Sequence, residues 1–297
     1  MQNEPLISVI IPTYNRGRLI LDSVNSVLNQ TYKNIELIVV DDCSTDDTEE
    51  ILKSINDSRI RYEKLEKNSG ACIARNRGIE LSTGEFIAFN DSDDSWHSNK
   101  LEKQLNFLTR NCADVVSCSM SVYDDEKNER LFEFPDSKLA KEGFVSCKAL
   151  LKYNSTSTQL LFGKTECFKK IFFDPQMPRF QDWEECIRLS KDFGLYHQDK
   201  ILVDTFIQPD SITKNPQKGV RGMEMLFEKH KDAILSDPEI VESFFRKKAS
   251  FVCKTGKNPK EEMKMIFKYN PTAKNFIKYS LSAIGVYKYI FNIKQKF

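Results

Sequence analysis

The chain is expected to fold as an α/β protein, a mostly parallel sheet flanked by helices and followed by a helical C-terminal extension. Three observations lead there. Apolar runs of strand length alternate with segments of helical periodicity through residues 1–123. Two of those runs end abruptly on acidic clusters, Asp41-Asp42 and Asp91-Ser92-Asp93-Asp94. From Val220 onward the pattern is helical, punctuated by Pro238, Pro259 and Pro271.

Taken in order, Ile7–Ile11 (ISVII) is an apolar, β-branched run that suits a strand buried on both faces. Asn15–Gly17 breaks it, and Leu19–Leu28 places Leu19, Ile20, Val24, Val27 and Leu28 at helical spacing. Ile35–Val40 (IELIVV) is a second buried strand, and Ser44–Asp47 supplies capping chemistry for a helix over Thr48–Ile55. Ile60–Leu65 is a short third strand. Asn68-Ser69-Gly70 is a turn before a helix over Ala71–Leu81, and Phe86–Phe89 is a fourth strand. Lys100–Asn111 reads as a helix and Asp114–Tyr123 as a strand, whereas Asp124–Lys141 reads as charged and loop-like. Short helices are expected over Ser146–Leu151 and Asp182–Phe193, then longer ones over Val220–Ser236, Ile240–Thr255, Lys260–Tyr269 and Asn275–Ile293. Strand–helix alternation needs crossover connections, which is why the sheet is expected to be parallel. Such sheets bind ligands outside the carboxyl ends of their strands, where the acidic clusters stand.

At 297 residues, with 40% hydrophobic and 29% charged side chains, the chain can bury a large core. Met1–Pro5 lacks a secretory pattern, and no run approaches the roughly 18 apolar residues of a membrane span. The eight cysteines are scattered without a CxxC pair, so buried thiols in a reducing compartment are expected rather than disulfides or zinc. The net charge of +1 hides an asymmetry: residues 245–297 hold 13 Lys/Arg against Glu261 and Glu262. A basic end suggests an anionic partner.

Asp91 and Asp93 stand two apart after a strand, so their side chains point the same way. Paired hard-oxygen ligands suit Mg²⁺ or Mn²⁺, which takes its remaining ligands from water and substrate phosphates; a solvated turn has the same composition. Asp41-Asp42 admits two readings likewise, helix capping or a hydrogen bond to a base or ribose.

Four segments occur in sequence: Pro5–Asn15 (PLISVIIPTYN), Glu36–Thr48 (ELIVVDDCSTDDT), Asn68–Gly78 (NSGACIARNRG) and Gly84–Trp96 (GEFIAFNDSDDSW). Together they closely resemble family-2 glycosyltransferases of the GT-A fold, and Gln181-Asp182-Trp183-Glu184 resembles that family's acceptor-side motif. The resemblance covers roughly residues 5–215. It implies a catalytic domain over residues 1–218, with a nucleotide-sugar half over 1–123 and an acceptor half over 124–218; residues 219–297 form the basic helical region. It implies that Thr13, Tyr14 and Asn15 line the nucleotide pocket, that Asp42 accepts from the uracil imide, and that Arg75 lies beside an anionic donor. Asp91 and Asp93 match the family's DxD, touching ribose and Mn²⁺ or Mg²⁺, with Asp94 an alternative metal ligand. Asp182 aligns with the catalytic base, and Glu184 is the next candidate. Trp96 and Trp183 adjoin the acidic motifs, either to stack on sugars or to wall the cleft, while His97, His197 and His230 stand isolated. Gln181 stands where the family often has Glu, and Gln208, in Gln208–Thr213, where it often has His.

The activity implied is inverting transfer of glucose or galactose from a UDP-sugar. The acceptor implied is polyprenyl-diphosphate-linked GlcNAc or GalNAc, and the product a β-1,3 linkage, in bacterial O-antigen or capsule synthesis. Residues 274–297 hold five lysines and the aromatics Phe276, Tyr279, Tyr287, Tyr289, Phe291 and Phe297. Ile277, Leu281, Ile284, Lys288 and Phe291 approximate one helical face, which suits peripheral contact with an anionic membrane from the cytoplasm. No nucleic-acid recognition motif accompanies the basic surface. The rival readings are a Mg-dependent nucleotidyltransferase and a non-catalytic nucleotide-sugar-binding protein. Against the first, Pro12–Arg16 is not a Gly-rich phosphate loop.

Overall fold

The computed structural model describes residues 4–127, 129–207 and 215–288. The chain divides into two compact units. The first comprises Met1–Ser146, Ser155–Pro175 and Glu185–Pro209; the second comprises Cys147–Asn154, Gln176–Glu184 and Asp210–Phe297. Two short stretches of the earlier chain thus belong to the helical second unit.

Along the chain run β1 (Ile7–Thr13), α1 (Ile20–Leu28), β2 (Ile35–Asp41), α2 (Thr48–Ser54), β3 (Ile60–Lys64), α3 (Ala71–Leu81) and β4 (Phe86–Phe89). There follow β5 (Asp94–Trp96), α4 (Lys100–Asn111), β6 (Val115–Asp124), β7 (Glu129–Phe134), β8 (Gly143–Phe144), α5 (Cys147–Lys152) and β9 (Leu161–Lys164). The remainder is α6 (Thr165–Lys170), α7 (Gln181–Asp192), β10 (Leu195–Ile207), α8 (Pro216–Leu235), α9 (Pro238–Lys254), α10 (Lys260–Tyr269) and α11 (Ala273–Ala283).

In the first unit the strands lie in the order β3-β2-β1-β4-β9-β6-β10-β5, with β7 beside β6 and β8 beside β10. The four strands from β3 to β4 are mutually parallel, as their helical crossovers require. Every residue of β1 and β4 is buried, which explains their unbroken apolar runs. Beyond β4 the sheet is mixed: β9 runs antiparallel to both β4 and β6, and β5 antiparallel to β10. Helix α3 seats tightly on β1, because a Cβ added at Gly78 would lie 2.4 Å from Ile10 Cγ2.

One core cluster joins β1, α1 and β2 to Ala88, Val116, Phe162 and Leu202. Phe162 is fully buried and stacks on Phe86 at 5.4 Å between ring centroids. Phe162→Ala is expected to lower the unfolding free energy by about 3–5 kcal/mol, from lost apolar burial plus a residual cavity. Urea denaturation checks this, and a loss below about 1 kcal/mol would mean the core closes over the gap.

Several features depart from the sequence expectation, among them β9 and α6, for which no element was expected. Within Asp124–Lys141, expected as a loop, β7 pairs antiparallel with β6. Its six residues (ERLFEF) are almost all exposed, and its charged and apolar side chains follow one another without the alternation that betrays a strand. β10 spans 13 residues but shifts register between His197 and Ile201 and again before Val203, where Gln198-Asp199-Lys200 breaks its periodicity.

The second unit is helical. Pro216 and Pro238 open α8 and α9, whose caps are Asn215 (Oδ1 accepting from Lys218 N–H at 3.1 Å) and Asp237 (Oδ1 accepting from Glu239 N–H at 2.8 Å). Its interior is aromatic: Trp183 contacts Phe180 and Phe244, and Phe227 contacts Phe244 and Phe245. Helix α11 stops earlier than the helix expected over Asn275–Ile293. Gly285 takes a left-handed conformation (φ 79°), and Val286 N–H reaches back to Leu281 O at 3.0 Å, which closes the helix end. Gln208–Thr213, Tyr289, Phe291 and Phe297 lie outside the described residues. No helix among the described residues is long and apolar enough to cross a membrane.

Candidate active site

The carboxyl ends of β2, β1 and β4 lie side by side, and the chain leaving each carries the polar residues singled out above. Asp42 N–H donates to Thr13 O at 2.8 Å, joining the first two ends. Asp41 is wholly buried; its carboxylate accepts from Ser44 N–H and from the Tyr62 hydroxyl, so it shapes the turn. Asp42 Oδ1 and Oδ2 accept from the N–H groups of Ser69 and Gly70, each at 2.7 Å. The carboxylate thereby holds the start of α3, where Gly70 supplies a positive φ of 93°. Capping and ligand recognition are compatible here, because each carboxylate oxygen offers two lone pairs.

Asn15, with φ 50°, donates its N–H to Ser44 Oγ and accepts from Thr45 N–H at 2.8 Å, which ties the β1 turn to the β2 turn. Tyr14 is 42% exposed. Thr13 keeps a buried hydroxyl with no hydrogen-bond partner among the described residues.

The three acids after β4 have different surroundings. Asp91 Oδ1 accepts from Arg75 Nη2 at 2.7 Å, and the Arg75 guanidinium lies 5.5 Å from the Phe173 ring centroid. Asp93 Oδ2 lies 4.0 Å from Arg16 Nε. Asp94 begins β5 and is only 4% exposed, with Oδ2 buried and without a hydrogen-bond partner among the described residues. Burial, then the charges of Asp91 and Asp93, push its carboxyl well above the usual carboxylate range, against the opposing influence of Thr205 and Gln159. Asp93 and Asp94 share a cavity of about 180 Å³ with Leu19, Asp22, Ser95, Asp125 and Phe206. Arg16, Asp22 and Asp125 were not singled out by the sequence reading. Only Arg16, adjoining Asn15, had a positional signal there.

Asp182 belongs to the second unit, in the first turn of α7, where its Oδ1 accepts from Trp183 N–H at 2.8 Å. Glu184 is buried among that unit's own residues, with Oε1 3.4 Å from Lys229 Nζ and 3.5 Å from His230 Nε2. Trp183 donates its ring N–H to Leu150 O at 2.7 Å and is buried. Trp96 is buried too, with Lys100 Nζ 3.9 Å above its ring. Both tryptophans are therefore buried and offer no exposed face on which a sugar could stack. His97 meets Asp204 at 3.1 Å, and His197 sits between Ser117 and Ser119, where burial pushes its pKa below the ordinary imidazole value.

The glycosyl transferase family 2 profile matches residues 8–159. The chain belongs to that family. A putative teichuronic acid biosynthesis glycosyltransferase, TuaG of Bacillus subtilis, is 34% identical over 230 residues, covering 73% of this chain and 85% of that protein. The Escherichia coli UDP-Glc:alpha-D-GlcNAc-diphosphoundecaprenol beta-1,3-glucosyltransferase WfaP is 35% identical over 219 residues, covering 72% of this family-2 chain and 82% of its own length. Among solved structures, S. aureus TarS 1-349 in complex with UDP-GlcNAc superposes with a TM-score of 0.67. It covers 98% of this chain and 91% of that one at 19% identity, a likeness of GT-A fold.

Proposed function

We propose that this family-2 glycosyltransferase is an inverting, metal-dependent hexosyltransferase. Its donor on this reading is UDP-glucose or UDP-galactose, and its acceptor a polyprenyl-diphosphate-linked GlcNAc or GalNAc that receives a β-1,3 bond. The observation that carries the reading is the convergence of Asp42, Asp91, Asp93 and Asp94 on the carboxyl ends of β1, β2 and β4. The activity for which WfaP is named favours this donor and acceptor.

The donor set fits a small divalent cation. Asp94 offers a buried oxygen without a partner and a carboxyl whose ionisation is opposed by its surroundings, and a cation reverses both conditions. Among the described residues no three side chains form an all-protein metal cage. Mg²⁺ and Mn²⁺ bound by one or two carboxylates plus substrate phosphates need none. When bound, such an ion neutralises charge on the departing diphosphate.

The chain's own groups do the rest. Asp42 accepts from the uracil imide, and Thr13, Tyr14 and Asn15 line the base and ribose. Arg75 holds Asp91 and adds positive charge near the donor. Asp182 takes the acceptor hydroxyl proton as the new oxygen–C1 bond forms and the C1–phosphate oxygen bond breaks, so UDP leaves and the transferred sugar is inverted at C1. A panel of UDP-sugars with Mn²⁺ and synthetic GlcNAc-diphosphate-lipid, followed by product NMR, tests the assignment. A β-1,3 hexosyl product is expected; an α linkage would overturn inversion.

On this reading the protein attaches peripherally at the cytoplasmic face, and the composition of α11 supports contact with an anionic membrane. Phe276 and Ile277 on α11, and Ile284 just after it (72%), are exposed, as is Lys274, while Lys278 is half-buried. The protein is expected to float with phosphatidylglycerol vesicles but not with neutral ones. Lys274→Glu with Lys278→Glu should weaken that binding roughly tenfold or more, each basic residue contributing about 1 kcal/mol. Equal flotation with both vesicle types would remove the electrostatic basis.

A further inference from the structure

Arg179 and Lys247 meet over one aromatic surface in the second unit. The Arg179 guanidinium lies 4.9 Å from the Phe180 centroid and 4.8 Å from that of Phe251. Lys247 Nζ lies 4.9 Å from the Trp183 centroid and 5.8 Å from that of Phe180. Phe180 takes a left-handed φ of 67°, a costly conformation for a bulky residue, and places its ring against both cations. Gly222 of α8 backs this arrangement, since a Cβ there would lie 2.9 Å from Phe180 Cδ2.

Cation–π contacts hold a cation without using its N–H donors. Arg179 Nη1 is buried with no hydrogen-bond partner among the described residues. Neither side chain forms an ion pair within the described residues, although both are only half-buried. Burial, then Arg179, push the Lys247 amine down to about 8, with Asp182 opposing. Asp182 is also the charge that steadies Arg179. Among the described residues Asp182 is the one acidic charge acting on both cations, which leaves net positive charge beside the side chain proposed as base.

We propose that Arg179 and Lys247 form the subsite for the acceptor's diphosphate ester. The inference rests on the lipid-diphosphate acceptor reading above and deepens it. A guanidinium donates a planar pair of N–H groups to phosphate oxygens, and an ammonium adds a point charge. Anchoring the diphosphate there would bring the attached sugar's hydroxyl toward Asp182.

The test uses the full chain, GlcNAc-diphosphate-alkyl as acceptor and the same alkyl-GlcNAc without phosphates. Arg179→Met and Lys247→Met are expected to raise KM for the diphosphate acceptor about tenfold or more, with kcat and UDP affinity changed less than about threefold. The neutral acceptor should respond equally in all proteins, and Arg179→Lys and Lys247→Arg should restore most of the affinity. An equal loss on both acceptors, or no loss on either, overturns the subsite. A phosphorus-NMR titration of GlcNAc-diphosphate-alkyl into UDP-saturated protein reads binding without transfer. If no donor sugar is transferred yet this binding falls in Lys247→Met, the subsite stands and the hexosyl-transfer reading fails. Inorganic phosphate or phosphatidylglycerol vesicles competing as well as the ester would overturn the acceptor assignment. Should Lys247→Met fail to fold, Lys247→Gln carries the same comparison.

Discussion

Asp182→Asn is expected to slow hexosyl transfer by about 10²–10⁴-fold while UDP-sugar affinity stays within about twofold. The substitution preserves shape, and the amide oxygen can still accept the Trp183 N–H that Asp182 Oδ1 accepts at 2.8 Å. What it removes is the ability to take a proton. Inverting transfer has no covalent enzyme intermediate, so the acceptor hydroxyl must lose its proton to a positioned base as it attacks. The binding half of the expectation follows from chain placement: Asp42, Arg75 and the acids after β4 belong to the first unit, Asp182 to the second. Single-turnover transfer, alongside calorimetric titration with UDP-sugar, checks both halves. Transfer at wild-type rate would shift the role of base to another group. Glu184 is a poor substitute, being buried against Lys229 and His230.

Chelation should abolish transfer, with recovery on adding Mn²⁺ or Mg²⁺, and Asp94→Asn should cost transfer at least about 10²-fold even at saturating metal. Stability is expected to move the other way. In the unfolded chain Asp94 ionises in the ordinary carboxylate range; in the fold, burial and its acidic neighbours hold that ionisation back. A carboxyl with a raised native pKa takes stability from the fold as pH climbs from the unfolded value toward the native one. At pH 7 without metal, Asp94→Asn removes that penalty, so its melting temperature should equal or exceed wild type. Calorimetric scans with and without metal make the comparison. A melting temperature well below wild type would mark Asp94 as a structural residue and withdraw it from the metal site.

The parallel half of the fold was plain in the amino-acid order because strands buried on both faces must be apolar along their whole length, as β1 and β4 are. The acids that follow such strands sit at a carboxyl end whatever the rest of the chain does, so the amino-acid order alone puts Asp42, Asp91 and Asp93 there. Edge elements carried no such mark. β7 is solvated and β10 is interrupted, and neither has the periodicity by which a strand is recognised.

The electrical character of the site is different in kind. How far burial and its acidic neighbours hold back the ionisation of Asp94 depends on the opposing influence of Gln159 and Thr205, far along the chain, and whether Asp91 is paired depends on Arg75 arriving on α3. Trp96 and Trp183 adjoin the acidic motifs in the sequence, yet Lys100 covers one ring and burial removes the other. Arg179 and Lys247 become neighbours only when α9 packs against the turn before α7. Strand and helix follow from side chains a few positions apart. Charge, burial and partnership follow from distances through space, which a linear order of residues leaves open.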